Sequence, residues 1–115
     1  MFLEAYLEDY HVGPFHSGLH QFVDCENLNW DFCENYSAQT VGFKNNEVKA
    51  SSPIYKKWHN ITFAQNHNKA PKYSAIWFAY YPFLMVEWYP NALVVSNLIP
   101  NDENSCTNVT EFYYP

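Results

Sequence analysis

A chain of 115 residues holds one domain at most, with apolar content for a single modest core. Six Lys, no Arg and a net charge of -6 argue against nucleic acid or an anionic membrane surface as the main partner, because such binding rests on clustered cations. Ten Tyr, nine Phe and four Trp suit a thick core or a pocket wall.

In chain order, residues 2–11 read as a helix, since Phe2, Leu3, Tyr6, Leu7 and Tyr10 recur at helical spacing. "VGP" at 12–14 is expected to stop it. "LNWDFCENY" alternates, with Leu28, Trp30 and Phe32 on one face of a half-buried strand, and "QTVGF" continues into a second. After the polar "KNNEVKASSP", Ile54, Trp58 and Ile61 mark a helix over 54–65, with Pro53 in its first turn. "SAIWFAYY", "LMVEWY" and "ALVVSNLI" read as three strands separated by Pro82 and by "PN" at 90–91. A last strand, "NVTEFYY", follows the loop "PNDENSCT". The expected fold class is α+β: an antiparallel sheet of about five or six strands, one leading helix and one inserted helix.

No apolar run approaches the roughly 18 residues of a membrane span. Acids stand in "MFLEAYLEDYH" where a signal peptide needs a basic flank, so a cytoplasmic protein is expected. Cys25, Cys33 and Cys106 cannot all pair within one chain, and they read as reduced thiols. The sequons at Asn35, Asn60 and Asn108 carry little weight without a secretion signal.

The chemistry concentrates in "YLEDYHVGPFHSGLHQF". Glu8, His11 and His16 form E-x-x-H-x-x-x-x-H, in which a carboxylate and an imidazole three apart share a helix face. The Gly13-Pro14 break is expected to fold His16 back toward His11, giving two imidazoles of a mononuclear iron site that one carboxylate would complete. Surface or hydrogen-bonded core histidines give the same spacing, so the pattern alone leaves both readings open. His20 reads as a local polar group, and His59 and His67 as surface. Trp77, Phe78, Tyr80, Met85, Trp88 and Tyr89 supply candidates for a hydrophobic pocket, with Trp77, Met85 and Trp88 preferred.

"YLEDYHVGPFHSGL", "NWDFCENYSAQTVG", "PIYKKWH" and "YYPFLMVEWYPNALVVSNLIP" together resemble the catalytic domain of Rieske-type ring-hydroxylating oxygenases, α subunit. The resemblance implies a helix-grip domain in which His11 and His16 bind Fe(II). It further implies that Glu8 bridges to a [2Fe-2S] Rieske cluster in a neighbouring subunit. It implies an aromatic or other apolar substrate, dioxygen, a ferredoxin or reductase donor, and a homotrimeric parent. The family's third ligand is a distant downstream aspartate; Glu87 and Glu111 read as sheet-face residues rather than ligands. No C-x-H…C-x-x-H pattern occurs. Residues 1–115 are therefore expected to be a single partial catalytic domain without its Rieske domain, inactive alone, its third carboxylate outside the chain. A helix-grip module binding a hydrophobic molecule without catalysis is the alternative.

Overall fold

Strand order in space is strand order in the chain. The computed structural model describes residues 7–44, 52–69 and 71–114. It contains β1 (Asn29–Phe32), β2 (Tyr36–Val41), β3 (Ala75–Tyr80), β4 (Leu84–Tyr89), β5 (Ala92–Asp102) and β6 (Ser105–Tyr113). These form one six-stranded antiparallel sheet, as the hairpin-length connections predicted. Short helices α1 (Val12–Phe15) and α2 (Ser17–Phe22) precede it, and α3 (Pro53–Gln65) lies between β2 and β3. No helix among the described residues is long and apolar enough to cross a membrane.

Register divides the sheet into two faces. Gln39, Trp77, Glu87 and Val94 are successive cross-strand partners, and Ser37, Ala79, Met85 and Ser96 form the next row on the same side. All of these except Glu87 are buried. Val12 and Val23 from the N-terminal segment pack on Val41, Ala75 and Trp77 of this face, with Leu19 and Tyr89 at its margin. Each large apolar side chain fully buried there contributes roughly 1.5–3 kcal/mol. The opposite face carries Ile76, Phe78, Val86, Leu93 and Val95, all half-buried. Buried Ser74 fastens the entry to β3: its N–H and O–H both donate to the Val41 carbonyl, at 2.8 and 3.1 Å.

Three expectations change. Of the leading helix over 2–11, residues 1–6 lie outside the described residues, and 7–11 form a bend and turn. Helix begins at Val12, at the start of the "VGP" expected to end one. Pro14 is tolerated because a first-turn N–H has no partner within the helix to lose. β1 forms as predicted but is exposed throughout; Trp30 and Phe32 stack on each other at 5.3 Å instead of entering the core. α3 forms where the spacing placed it, with Ile54 and Ile61 exposed and Trp58 beside Tyr114 at 6.0 Å. Finally, the loop expected over "PNDENSCT" is mostly strand. A bulge between Pro100 and Asp102 accommodates the proline, and the Asp102 carboxylate accepts from the Asn104 N–H and the Ser105 hydroxyl, both at 2.8 Å. That side-chain turn lets two long strands reverse within two residues. α3 ends where His67 and Asn68 take left-handed dihedrals (φ 54° and 57°), a conformation asparagine accepts readily.

Candidate active site

Glu8 and His11 meet across one turn. The His11 backbone N–H donates to Glu8 Oε2 at 3.2 Å, and the His11 ring Nδ1 pairs with Glu8 Oε1. A carboxylate only accepts, so Nδ1 carries a proton and, in the neutral ring, the lone pair is on Nε2. Partial loss of hydration pushes the Glu8 carboxyl up. Hydrogen bonds from the His11 ring and from the Tyr10 and His11 backbone outweigh it, and the pKa lies below the usual value. The turn is held in place from the sheet, because the buried Gln39 amide donates to the Leu7 carbonyl.

His16 is the single residue between α1 and α2, with φ -121° and ψ 60°. Five residues along an unbroken helix would turn a side chain roughly 140° away. The His16 ring nevertheless meets His11 edge-on, centroids 5.1 Å apart and planes at 79°. The break between the two helices falls at His16 itself. Gly13 and Pro14, expected to supply it, are helical.

Both imidazoles open onto a cavity of about 330 Å³, within the range of small-molecule sites. Its N-terminal wall is Glu8, His11, Val12, His16 and Leu19, of which Val12 and Leu19 are in helices; its sheet wall is Trp77, Glu87 and Tyr89. The Trp77 indole N–H donates to the Tyr89 oxygen at 3.1 Å, and the Tyr89 O–H donates to Glu87 Oε2 at 2.7 Å. Burial, and then the Glu87 charge, raises the Tyr89 hydroxyl well above its ordinary range despite the bond from Trp77. Tyr89 thus holds its proton and serves as the hydrogen-bond donor to Glu87.

The pocket residues expected from the sequence divide by strand parity. Trp77 lines this cavity. Met85 is buried on the same sheet face, one row away. Trp88 points to the opposite face and lines a separate groove with His59, Phe63 and Pro90. Glu87, read as an ordinary sheet-face residue, lies in the cavity; its register opposite Trp77 was the signal. His20 stands apart, its Nε2 3.5 Å from Lys44 Nζ and its buried Nδ1 close to Gly13 without a hydrogen-bond partner. Among the described residues, no three His, Cys, Asp or Glu side chains converge as a metal site, so Glu87 does not complete the imidazole pair.

The family described as ring hydroxylating alpha subunit (catalytic domain) matches residues 1–115. The chain belongs to this family. Two curated relatives are named putrescine 2-hydroxylase. One, from Ralstonia nicotianae, is 54% identical over 114 residues, covering 99% of this chain and 31% of its own length. The other, from Bordetella bronchiseptica, is 46% identical over 114 residues, covering 99% of this chain and 26% of its own length. The chain thus spans a third or less of the curated relatives it matches. No solved structure matches it significantly. Within this ring-hydroxylating α-subunit domain, the fold brings together the three motif residues Glu8, His11 and His16.

Proposed function

We propose that this chain is part of the mononuclear-iron domain of a Rieske-type oxygenase, a partial helix-grip fold in which His11 and His16 supply two iron ligands. The observation that carries this is the convergence of both imidazoles on one cavity, with His11 Nδ1 occupied by Glu8 and Nε2 left free. The residues present fit two-thirds of a facial triad, and the carboxylate that completes it comes from outside the described residues. When bound, Fe(II) supplies dioxygen activation, with electrons from a [2Fe-2S] cluster in the parent.

The chain's own residues prepare that chemistry. Glu8 fixes the His11 tautomer and ring orientation. On the resemblance it also hydrogen-bonds toward the cluster of a neighbouring subunit in a homotrimer fed by ferredoxin or a reductase. Val12, Leu19 and Trp77 line the cavity with apolar surface and restrict water. The reaction class is insertion of oxygen into a substrate C–H bond. The sequence pointed to an aromatic or apolar substrate; the relatives' name instead supports an aliphatic amine. Titration with Co(II) or Fe(II) tests the site. His11→Ala and His16→Ala are each expected to abolish binding, and unchanged binding in both variants refutes the assignment.

A further inference from the structure

We propose that Glu87, oriented by Tyr89 and facing Trp77, is the ammonium-binding residue of this cavity and selects substrates bearing a primary alkylammonium group. For what becomes of the bound amine this rests on the oxygenase reading; for the binding itself it does not.

Strand geometry builds the subsite. Glu87 and Tyr89 are two apart on β4 and share a face, and Trp77 is the direct cross-strand partner of Glu87 on β3. The hydrogen bonds run one way, from the indole N–H to the tyrosine oxygen and from the tyrosine O–H to Glu87. They end on Oε2 of a residue that lines the cavity, and Oε1 is the second oxygen of that carboxylate. No Lys or His among the described residues pairs with Glu87, whereas the cavity's other carboxylate, Glu8, is taken up by its hydrogen bond with the His11 ring.

A carboxylate in a partly dehydrated aromatic wall is unfavourable unless a cation meets it. This one is held in a fixed orientation and left without a cation of the protein's own. A primary ammonium satisfies it: one N–H reaches Oε1, and the positive charge lies against the Trp77 and Tyr89 rings. Tyr89 donates to the carboxylate and so holds its aim. Because Glu87 comes from the sheet wall and the imidazoles from the N-terminal wall, an amine anchored at Glu87 presents its alkyl chain across the cavity. Neutral alcohols lack the charge, and anions are repelled.

The test is calorimetric titration of the full chain with putrescine, n-butylamine and n-butanol, followed by the same titrations on Glu87→Gln. That variant keeps the shape and the bond from Tyr89 but removes the charge. The amines are expected to bind and n-butanol not to displace them, while Glu87→Gln weakens amine binding at least about tenfold and retains Co(II) binding. Equal amine affinity in Glu87→Gln overturns the proposal. So does loss of Co(II) binding in that variant, which would make Glu87 a ligand. Should Glu87→Gln fail to fold, the unmodified chain decides the matter: n-butanol binding as tightly as n-butylamine overturns it. Failure of the oxygenase reading appears separately, as Co(II) binding indifferent to His11→Ala and His16→Ala.

Discussion

At the scale of residues, the site depends on which atoms are already engaged. Glu8 engages His11 Nδ1, so Nε2 is available without tautomer exchange. Glu8→Ala frees the ring to rotate and change tautomer, and Co(II) affinity is expected to fall about 10–100-fold. Glu8→Gln, which still accepts from Nδ1–H, should fall between it and the unmodified protein; wild-type affinity in Glu8→Ala would contradict this role. Glu87 shows what register adds at this scale to a residue correctly read as lying on a sheet face and not as a ligand. An acid inside a strand is ordinarily solvated, and its place in the cavity emerges only once Trp77 is known to lie opposite it. The same register sends Trp88 to the other face, a distinction that a run of aromatic residues does not carry. The motif trio was readable because its members lie within nine residues and need no long-range register to meet.

At the scale of elements, β3, β4 and β5 were readable from alternation, because one face of each packs against other protein and the pattern records it. β1 alternates without a core to justify it, so its strand state was correct and its burial was not. The β5–β6 turn was hidden because Pro and Asn normally mark loops, whereas here a bulge and the Asp102 carboxylate keep both strands paired. Hydrogen bonds from the Asn104 backbone and the Ser105 hydroxyl hold the Asp102 carboxyl below its usual value. Its contribution to the hairpin is therefore fully present above the unfolded carboxyl pKa of about 3.9. It is lost as pH falls through the lower folded value. Amide-exchange protection in β5–β6 is expected to drop across that acid window. In Asp102→Ala it should be lower at neutral pH and no longer show that step; an unchanged acid profile in the variant would refute the turn's role.

At the scale of the whole molecule, the sheet is open at both ends among the described residues. β6 is exposed along its length, with Phe112 and Tyr113 at 60% and 50%, and β1 carries the exposed Trp30–Phe32 stack. Unpaired strands with apolar side chains recruit one another. This 115-residue chain, isolated at high concentration, is expected to self-associate in sedimentation velocity, and Val109→Lys on β6 to reduce it; a strictly monomeric unmodified chain would count against both edges. The meander itself has a temporal consequence. Four of its five pairings close over tight turns, whereas β2 meets β3 only after an excursion spanning residues 42–74. Loop closure grows costlier with length, so the β3–β6 hairpins form first. The N-terminal segment packs on Val41 and Ala75 together, and these become neighbours only when the excursion has closed. The acidic wall of the cavity is thus built early and the imidazole wall last, so the proposed metal site is completed at the close of folding rather than serving as its nucleus.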